Sequence, residues 1–529
     1  MTAPRARAAS DRHGNPTVRR LVAATRAEIR TAWRYGVVGL AGGLALLWSL
    51  ALLALPPAGA RMLLPLLLLV DTAGFGALIA VALALFERVE RTDAARGVTP
   101  LRPWETVAAR VTVLTVLAVA MAVPMTLAAG VPVGPGGVAA IAGGVAMTSV
   151  LLVGVCLALG SGAATLSAAF LRVVPGVVLL IVAPVLHLSE AVRAPVLFLV
   201  PSTAAAELLR VGTTGGAPAY PSALWALVWG TAGAVGACAW AARGMTPSIE
   251  APRGRTVFRR APESGSRTGP GVAGTGAAFP GRARRRSPLL SCLRFDLSAG
   301  RGDPLLAVIL FAPALLALLI RAGHPPVSAF VRDSYGFDLA SVAPVVFAAL
   351  ILLHVPLIAG SVVALRLMED VDDRTLLVLR ASPLPLRWYV GYRSGLAWLL
   401  SLVGLAVAVP LSGLAPPWSA GLAVSVAVAA AAAPLLVLTV TSMASNKVEA
   451  LVVVKAVAAL SVLLPVLAWT LPAPVAWVLL AVPPGWGLFA LPGLPVPELP
   501  PVAVLLGGLL WTLVLCVVAA RRTGAKLEL

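Results

Sequence analysis

The sequence predicts an all-α polytopic membrane protein, and two observations carry this prediction. The chain has 529 residues, of which 59% are hydrophobic and only 12% are charged, with a mean hydropathy of +0.94. A soluble domain cannot bury so much apolar surface. A spanning helix needs about 20 apolar residues, and about twelve such runs follow one another along the chain. They cover residues 37–55, 63–86, 111–131, 138–160, 173–188, 222–242, 304–320, 342–365, 394–414, 419–442, 450–471 and 501–520.

The basic residues predict how the chain is oriented in the membrane. The net charge is +19. With the N-terminus in the cytoplasm and twelve alternating spans, all but five of the 41 Lys and Arg residues fall on the cytoplasmic side. This is the positive-inside pattern. We therefore expect a multi-pass protein of the cytoplasmic (inner) membrane, with both termini in the cytoplasm and no nucleic-acid partner. The five exceptions are Arg61, Arg193, Arg210, Arg321 and Arg332.

One segment divides the chain into two halves. Residues 246–287 are rich in Pro, Gly, Ser, Thr and Arg, a composition that cannot bury a core and is typical of a flexible linker. We expect a first six-span domain in residues 1–245 and a second in residues 288–529, joined by this basic cytoplasmic linker. In the first domain, residues 17–36 have the pattern of an amphipathic helix, which suits either the cytoplasmic membrane interface or a soluble tail. Its apolar face holds Val18, Val22, Thr25, Ile29 and Trp33.

A polar pattern, R-T-x6-[ST]-P-L-x8-R, occurs once in each half. The copies begin at Arg91 and Arg374, which are 283 positions apart, and each connects the second and third apolar runs of its half. An even number of spans per half gives both halves the same orientation, so the pattern predicts two parallel six-helix repeats. The shared positions are Arg91, Thr92, Thr99, Pro100, Leu101 and Arg110, and then Arg374, Thr375, Ser382, Pro383, Leu384 and Arg393.

The residues in and around the repeat predict its local structure. Ser or Thr followed by Pro is typical of a helix start, so the third span of each half is expected to begin at Pro100 and at Pro383. Residues 374–381 predict a short apolar-faced helix that is too short to span the membrane. Acidic residues precede each copy, and a tryptophan follows the proline within it: Glu87, Glu90 and Trp104, and then Glu369, Asp370, Asp372, Asp373 and Trp388.

An ordinary turn between two spans is one interpretation of this repeat. A turn without a shared function need not keep its spacing in two otherwise diverged halves. The repeat therefore favours a docking surface for another protein on the cytoplasmic side.

The order of these features resembles the ABC type-2 permease superfamily, and within it the fluoroquinolone-export type of permease. The resemblance covers both halves outside the linker and the extreme N-terminus. The first copy of the repeat departs from the family pattern, because residues 93–98 (DAARGV) are less apolar than the usual docking helix. Besides the repeat, the stretches that carry the resemblance are AWRYG (32–36), VDTAGFGALIAVALALFER (70–88), VPSTAAAELLR (200–210), NKVEALVVVK (446–455) and VPPGWGLFAL (482–491).

The resemblance implies the permease subunit of an ATP-driven exporter, with two six-span domains fused in one chain. It implies ABC ATPase subunits, as two copies or a heterodimer, that bind ATP and Mg and dock on coupling helices between the second and third spans. The cargo would be a lipophilic drug, natural product or lipid moved outward, and re-entrant external segments would precede the last span of each half. The implied docking residues are Glu87, Glu90, Arg91, Thr92, Thr99, Pro100, Leu101, Trp104, Glu369, Asp372, Arg374, Thr375, Leu376, Leu377, Leu379, Ser382, Pro383, Leu384 and Trp388.

The sequence predicts no enzymatic or metal site in this chain. The Walker A pattern G-x-x-x-x-G-K-[ST] does not occur, so no catalytic residue and no cofactor of its own is expected. The four cysteines form no CxxC pair, which gives no support to a metal site. Two other classes stay open: an ion-gradient-driven secondary transporter built from an internal repeat, and a membrane-embedded enzyme, for which the four scattered histidines offer no cluster.

Two ionisable residues lie at similar depth in the second spans of the halves. Asp71 lies 16 residues before Glu87, and His354 lies 15 residues before Glu369. Charged groups are costly inside a bilayer, so one interpretation is a polar pair that lines a pathway between the halves. The other is an aspartate near the outer interface and a histidine bonded to a carbonyl. Lys455 is expected to extend towards the cytoplasmic surface.

One further apolar segment, residues 475–491, is long enough to be mistaken for a span. A full crossing would place Arg521, Arg522 and Lys526 outside, against the positive-inside pattern. A re-entrant or surface hairpin broken at residues 483–485 is therefore expected.

Overall fold

The structure is a computed structural model, and every regular element in the part of the chain that it describes is a helix. The structure describes residues 15–90, 92, 98–132, 134–163, 166–189, 194–214, 222–244, 304–372 and 385–527. The helices of the first half are α1 (Pro16–Arg34), α2 (Val37–Ala54), α3 (Pro57–Leu67), α4 (Phe75–Val89), α5 (Pro103–Ala128), α6 (Pro135–Gly160), α7 (Leu166–Leu188), α8 (Pro201–Thr214) and α9 (Ser222–Gly244). Those of the second half are α10 (Pro304–Tyr335), α11 (Ala343–Phe347), α12 (His354–Asp372), α13 (Leu386–Ser412), α14 (Ala420–Ala430), α15 (Ala432–Met443), α16 (Lys447–Thr470), α17 (Ala473–Ala476) and α18 (Pro501–Leu527).

The predicted all-α architecture with twelve spans is confirmed. Among the described residues, 12 helical segments are long and apolar enough to cross a membrane. Six precede the linker and six follow it, whereas the parallel arrangement of the halves stays a prediction. The spans are Val37–Ala54, Gly59–Arg88, Pro103–Ala128, Pro135–Gly160, Leu171–Leu188, Leu224–Gly244, Leu310–Asp333, Leu339–Asp372, Leu386–Ser412, Ala420–Met443, Lys447–Thr470 and Pro501–Lys526.

The second span of each half is interrupted by a π-helical segment. These segments are Leu68–Ala73, between α3 and α4, and Ala348–Leu352, between α11 and α12. A π-turn inserts an extra residue into the helix and is frequent at functional sites. Gly74 follows the first segment, where a Cβ would lie 2.4 Å from the carbonyl oxygen of Val70. The sharp exit from this π-helical turn therefore requires glycine.

The two halves are packed against each other through α16. The main apolar cluster of the first half includes three side chains from α16, namely Val448, Leu451 and Ala459. They pack among residues of α2 and α4, such as Leu44 and Phe75. The fifth span of the second half is therefore part of the first half's core.

The predicted N-terminal amphipathic helix is present as α1. Its apolar side chains Val18, Val22, Ile29 and Trp33 are exposed, whereas Glu28 is buried against the protein. An exposed apolar stripe of this kind suits burial in a membrane interface. The next residue but one after α1 is Gly36, whose φ of 72° lies in the left-handed region that favours glycine. This glycine turns the chain from α1 into the first span.

The predicted start of the third span at Pro100 is wrong. Helix α5 begins at Pro103, and Thr99 and Pro100 lie in a bend before it. Pro103 takes the first helical position, where its missing N–H is not needed. The Glu105 carboxylate accepts a hydrogen bond from the backbone N–H of the N-cap residue Arg102 at 2.9 Å, as the acid of a capping box does. In the second half, α13 begins at Leu386 and the predicted start at Pro383 lies outside the described residues.

Among the described residues, the helices that directly precede the last span of each half are too short to cross a membrane. In the first half, the 3-10 helix Pro195–Leu199 leads into α8. In the second half, the 3-10 helices Trp477–Ala481 and Pro483–Ala490 divide the apolar segment that is long enough to span. The break falls at Val482, directly before the predicted residues 483–485, which begin the second 3-10 helix. That the segment is re-entrant stays a prediction.

Candidate coupling surface and intramembrane ion pair

A buried arginine fixes the base of the loop between the second and third spans of the first half. Arg110 of α5 donates hydrogen bonds to Glu87 at the end of α4, and at 2.9 Å to Glu28 of α1. The Arg110 side chain is only 1% exposed, so its charge depends on these two carboxylates for compensation. The three side chains hold α1, α4 and α5 together where the loop begins and ends.

A second ion pair joins α1 to the start of the third span. Arg20 donates to Glu105 from Nη2 at 3.0 Å and from Nε at 3.1 Å. Glu105 is fully buried and also accepts from the backbone N–H of Arg102 at 2.9 Å. One carboxylate therefore both caps α5 and holds the N-terminal helix.

The second half has its own acid–arginine pair at the equivalent place. Arg393 of α13 lies 3.3 Å from Asp370 of α12, and the hydroxyl of Tyr389 donates to Asp370 at 2.6 Å. Glu87 and Asp370 are 283 positions apart, as are Arg110 and Arg393, which is the interval between the two copies of the repeat. In each half, an acid at the end of the second span therefore binds the last arginine of the repeat.

The two acids that the sequence singled out in the second half contact the start of its fifth span. Glu369 lies 3.0 Å from Arg366 and 3.9 Å from Nζ of Lys447. Asp372 accepts from the backbone N–H of Lys447 at 3.3 Å, a favourable position for a carboxylate at a helix N-terminus. Asn446 caps the same helix, because its side-chain oxygen accepts two backbone N–H bonds at 3.0 Å. The stretch NKVE thus joins α16 to the end of α12.

The predicted docking residues of the first loop that the structure describes lie mostly at the surface. Thr92 donates to the carbonyl oxygen of Glu87 at 3.0 Å, which ties it to the end of α4. Glu90, Thr92, Thr99, Pro100 and Trp104 are exposed, as is Trp388 of the second half, and Leu101 is half-buried. The remaining predicted docking residues lie outside the described part of the chain: Arg91, Arg374, Thr375, Leu376, Leu377, Leu379, Ser382, Pro383 and Leu384.

An ion pair between the halves occupies the spans themselves. Oδ1 of Asp71 lies 3.5 Å from Nζ of Lys455, and Oδ2 accepts from the indole N–H of Trp48 at 2.7 Å. The ammonium of Lys455 also lies 5.1 Å from the centroid of the Phe75 ring, within the range of a cation–π contact. The expectation that Lys455 extends to the cytoplasmic surface is therefore wrong, because a carboxylate and an aromatic face inside the protein hold its charge.

His354 makes different contacts from Asp71. It lies at the start of α12, directly after the second π-helical segment, and is mostly buried. Its Nδ1 has no hydrogen-bond partner among the described residues. The role of Asp71 and His354 in a pathway stays a prediction.

A third charged cluster lies before the last span of the first half. Glu207 of α8 contacts Arg210 at 2.6 Å and His187 at 2.8 Å. Burial raises the pKa of the Glu207 carboxyl, but the hydrogen bonds from Arg210 and His187 outweigh this effect and lower the pKa to about 2. The carboxylate therefore ties α8 to the end of α7.

Comparison with known proteins identifies the family. Residues 19–247 match the family model described as fluoroquinolones export permease protein family. Residues 296–520 match the one described as fluoroquinolones export permease protein Rv2686c-like. The chain is also 31% identical over 183 residues to the fluoroquinolones export permease protein Rv2687c of Mycobacterium tuberculosis, which is 35% of this chain and 76% of that relative. The chain belongs to the fluoroquinolones export permease family. The resemblance to ABC type-2 permeases is thereby confirmed.

A second relative agrees with a fused architecture. The fluoroquinolones export permease protein Rv2686c of Mycobacterium tuberculosis is 28% identical over 164 residues, which is 31% of this chain and 65% of the relative. The chain thus covers 65% of the length of that family member. Because the same alignment is a much smaller share of this chain, the relative is about half as long. The two family matches lie on either side of residues 248–295, which contain most of the predicted linker.

Proposed function

We propose that this chain is the transmembrane permease subunit of an ATP-driven ABC exporter. Separate ATPase subunits dock on the two loops between the second and third spans, and their ATP-driven movement switches the pathway between inward and outward access. ATP and Mg are bound by those subunits, not by this chain. The cargo is a lipophilic drug-like molecule moved outward, and the names of the relatives point to fluoroquinolones.

The recurrence of the acid–arginine pair supports this proposal most directly. Each pair joins the end of the second span to the start of the third, at the two ends of the candidate docking loop. A flexible loop could move with a bound partner without moving the spans. When the two ends of the loop are bound to each other, movement of the loop also moves both helices, because packed helices move as rigid elements.

The N-terminal helix extends the same assembly. Through Glu28 it shares Arg110 with the loop, and through Arg20 it is tied to Glu105. Its exposed apolar face suits the membrane interface. We infer that α1 lies on the cytoplasmic surface of the membrane and moves with the first docking loop.

The test is co-purification of the full chain in detergent with its candidate ATPase subunit. The variant Leu376→Asp, Leu377→Asp, Leu379→Asp places three charges on the predicted coupling helix, and we expect it to lose the complex and permease-stimulated ATP hydrolysis. The matched control Val257→Asp, Phe258→Asp, Val272→Asp adds the same charges to the linker, and we expect it to keep both. Gel filtration of each variant shows that the permease is folded. An unchanged complex in the first variant would contradict docking at this loop.

The Asp71–Lys455 ion pair is the observation that favours the second candidate, an ion-gradient-driven transporter. Ionisable side chains inside spans are typical of ion and proton pathways. Binding to no ATPase, together with transport that stops when the ion gradient is collapsed, would support this alternative.

A further inference from the structure

The Asp71–Lys455 contact is an ion pair that spans the two halves within the predicted membrane region. Asp71 belongs to the π-helical segment of the second span, and Lys455 lies on the face of α16 that packs against the first half. The pair has no net charge, which lowers the cost of placing either group in a membrane. Separating it without replacement would leave two uncompensated charges.

The charged groups of the pair can form more hydrogen bonds than they make with each other. One carboxylate oxygen of Asp71 is occupied by Trp48, while the other meets Lys455 at 3.5 Å, longer than a strong charge-assisted hydrogen bond. An ammonium carries three donors. The side chains of Lys455 and Asp71 keep 25% and 19% of their surface exposed, and the adjoining Val70 is 43% exposed. Both charged side chains are therefore partly accessible from the surface of the spans.

A ligand with one charge is poorly suited to this site. A cation that bound Asp71 would displace Lys455 and leave the lysine ammonium without its partner. An anion that bound Lys455 would likewise leave the Asp71 carboxylate without its partner. A zwitterion replaces both partners at once. Trp48 is half-buried beside the charges and adds an aromatic face that favours a flat ring in the ligand. Phe75 is buried, and its ring stays in contact with Lys455.

We propose that Asp71 and Lys455 form a binding site for zwitterionic aromatic molecules. The ligand's carboxylate binds Lys455, its ammonium binds Asp71, and its ring packs against Trp48. Fluoroquinolones that carry a ring amine have this chemistry. The inference rests on the proposed transport function and names the substrate class of its pathway.

The sequence allows this site at only one of the two equivalent positions. The positions 283 residues away hold His354 in place of Asp71, and Arg172 in place of Lys455. Arg172 is exposed, and a histidine opposite an arginine cannot form an acid–base pair. Arg172 therefore provides a matched control.

The test measures ligand binding to the full chain, without ATPase, in phosphatidylglycerol nanodiscs. The probes are a zwitterionic fluoroquinolone, its methyl ester, which keeps only the cation, and its N-acetyl derivative, which keeps only the carboxylate. We expect the zwitterion to bind at least about tenfold more tightly than either derivative, a difference of about 1.4 kcal/mol. The double variant Asp71→Asn, Lys455→Gln should lose this preference, and Arg172→Gln should keep it. The charge swap Asp71→Lys, Lys455→Asp should restore it if the double variant fails to fold.

Several results would overturn the inference. They are equal binding of the three probes to the wild type, an unchanged preference in the folded double variant, or no binding of any probe. Displacement of the zwitterion by phosphatidylethanolamine would assign the site to a lipid headgroup and would also overturn it. Each of these leaves the docking of ATPase subunits untouched, because complex formation is measured separately.

Discussion

Arg110, near the start of the third span, forms a buried ion pair with Glu87 at the end of the second. The same relationship recurs between Arg393 and Asp370, 283 positions later. The two copies differ in their third partner, which is Glu28 of the N-terminal helix in the first half and the Tyr389 hydroxyl in the second. Two diverged halves have thus kept one way of closing the loop and built different surroundings around it.

Replacing Arg110 should be among the most destabilising changes in the chain. Arg110→Leu leaves Glu28 and Glu87 without their buried partner, and losing one member of a buried ion pair costs about 3–5 kcal/mol. Thermal unfolding of the chain in detergent measures the loss. Arg26→Ala, an exposed arginine on α1, should change stability by no more than about 0.5 kcal/mol. Equal stability of the two variants would show that Arg110 does not hold these helices together.

The equivalent change in the second half should be milder. Arg393→Leu removes an ion pair of 3.3 Å, but the Tyr389 hydroxyl still donates to Asp370. We therefore expect a loss of about 1.5–3 kcal/mol, typical of a hydrogen bond to a charged group. The same unfolding measurement checks it. A loss larger than that of Arg110→Leu would contradict the ranking that the two sets of contacts predict.

Loss of Arg20 should loosen α1 without unfolding the spans. Arg20→Ala removes the ion pair with Glu105, which keeps its bond from the Arg102 backbone and its role as a cap. Hydrogen exchange should become faster in residues 16–34 and stay unchanged in residues 103–128. A control variant, Arg30→Ala, alters an exposed arginine on the same helix and should leave both segments protected as in the wild type. Unchanged protection of α1 in Arg20→Ala would contradict the anchoring role of this pair.

The Glu207 cluster should make the protein acid-sensitive in a defined range. The pKa of Glu207 is lowered from 4.5 to about 2 in the folded chain, so its contribution is fully present above about 4.5. It is lost as the pH falls towards 2, with a slope of up to about 1.4 kcal/mol per pH unit. Unfolding midpoints between pH 5.5 and 3 measure the effect. Glu207→Gln should be less stable at pH 5.5 and should lose part of the slope, and an unchanged slope would contradict the assignment.

The sequence predicts the helices well because membrane thickness sets their length. All twelve apolar runs correspond to spans, and the amphipathic pattern of residues 17–36 predicts α1. The sequence does not predict the π-helical segments, because their residues are as apolar as the rest of the span. The third span starts at Pro103 and not at Pro100. Both prolines suit a first turn, but only Pro103 is followed two residues later by an acid, Glu105, which accepts the backbone N–H of the N-cap residue.

The ion pairs are less predictable than the helices. Hydropathy gives the depth of Asp71 and Lys455 but not the direction in which each side chain points around its helix. Their contact depends on how α16 packs against the other half, which no local pattern encodes. The sequence pattern does not identify Glu28 and Arg20 as partners of the loop. Glu28 could be suspected, because it is a lone carboxylate among the arginines of α1. Asp370 lies 283 residues after Glu87, which is the interval of the repeat. This spacing identifies Asp370, rather than its neighbours Glu369 and Asp372, as the counterpart of Glu87.

The most direct test of the proposed function is transport by proteoliposomes that contain the chain and its candidate ATPase. ATP and Mg are added outside, so that only complexes with their ATPase outward are driven, and uptake of a zwitterionic fluoroquinolone is followed. We predict uptake that requires hydrolysable ATP, fails with either protein alone, and does not occur when an ion gradient is imposed without ATP. Uptake driven by the gradient alone, with no dependence on ATP, would contradict the account.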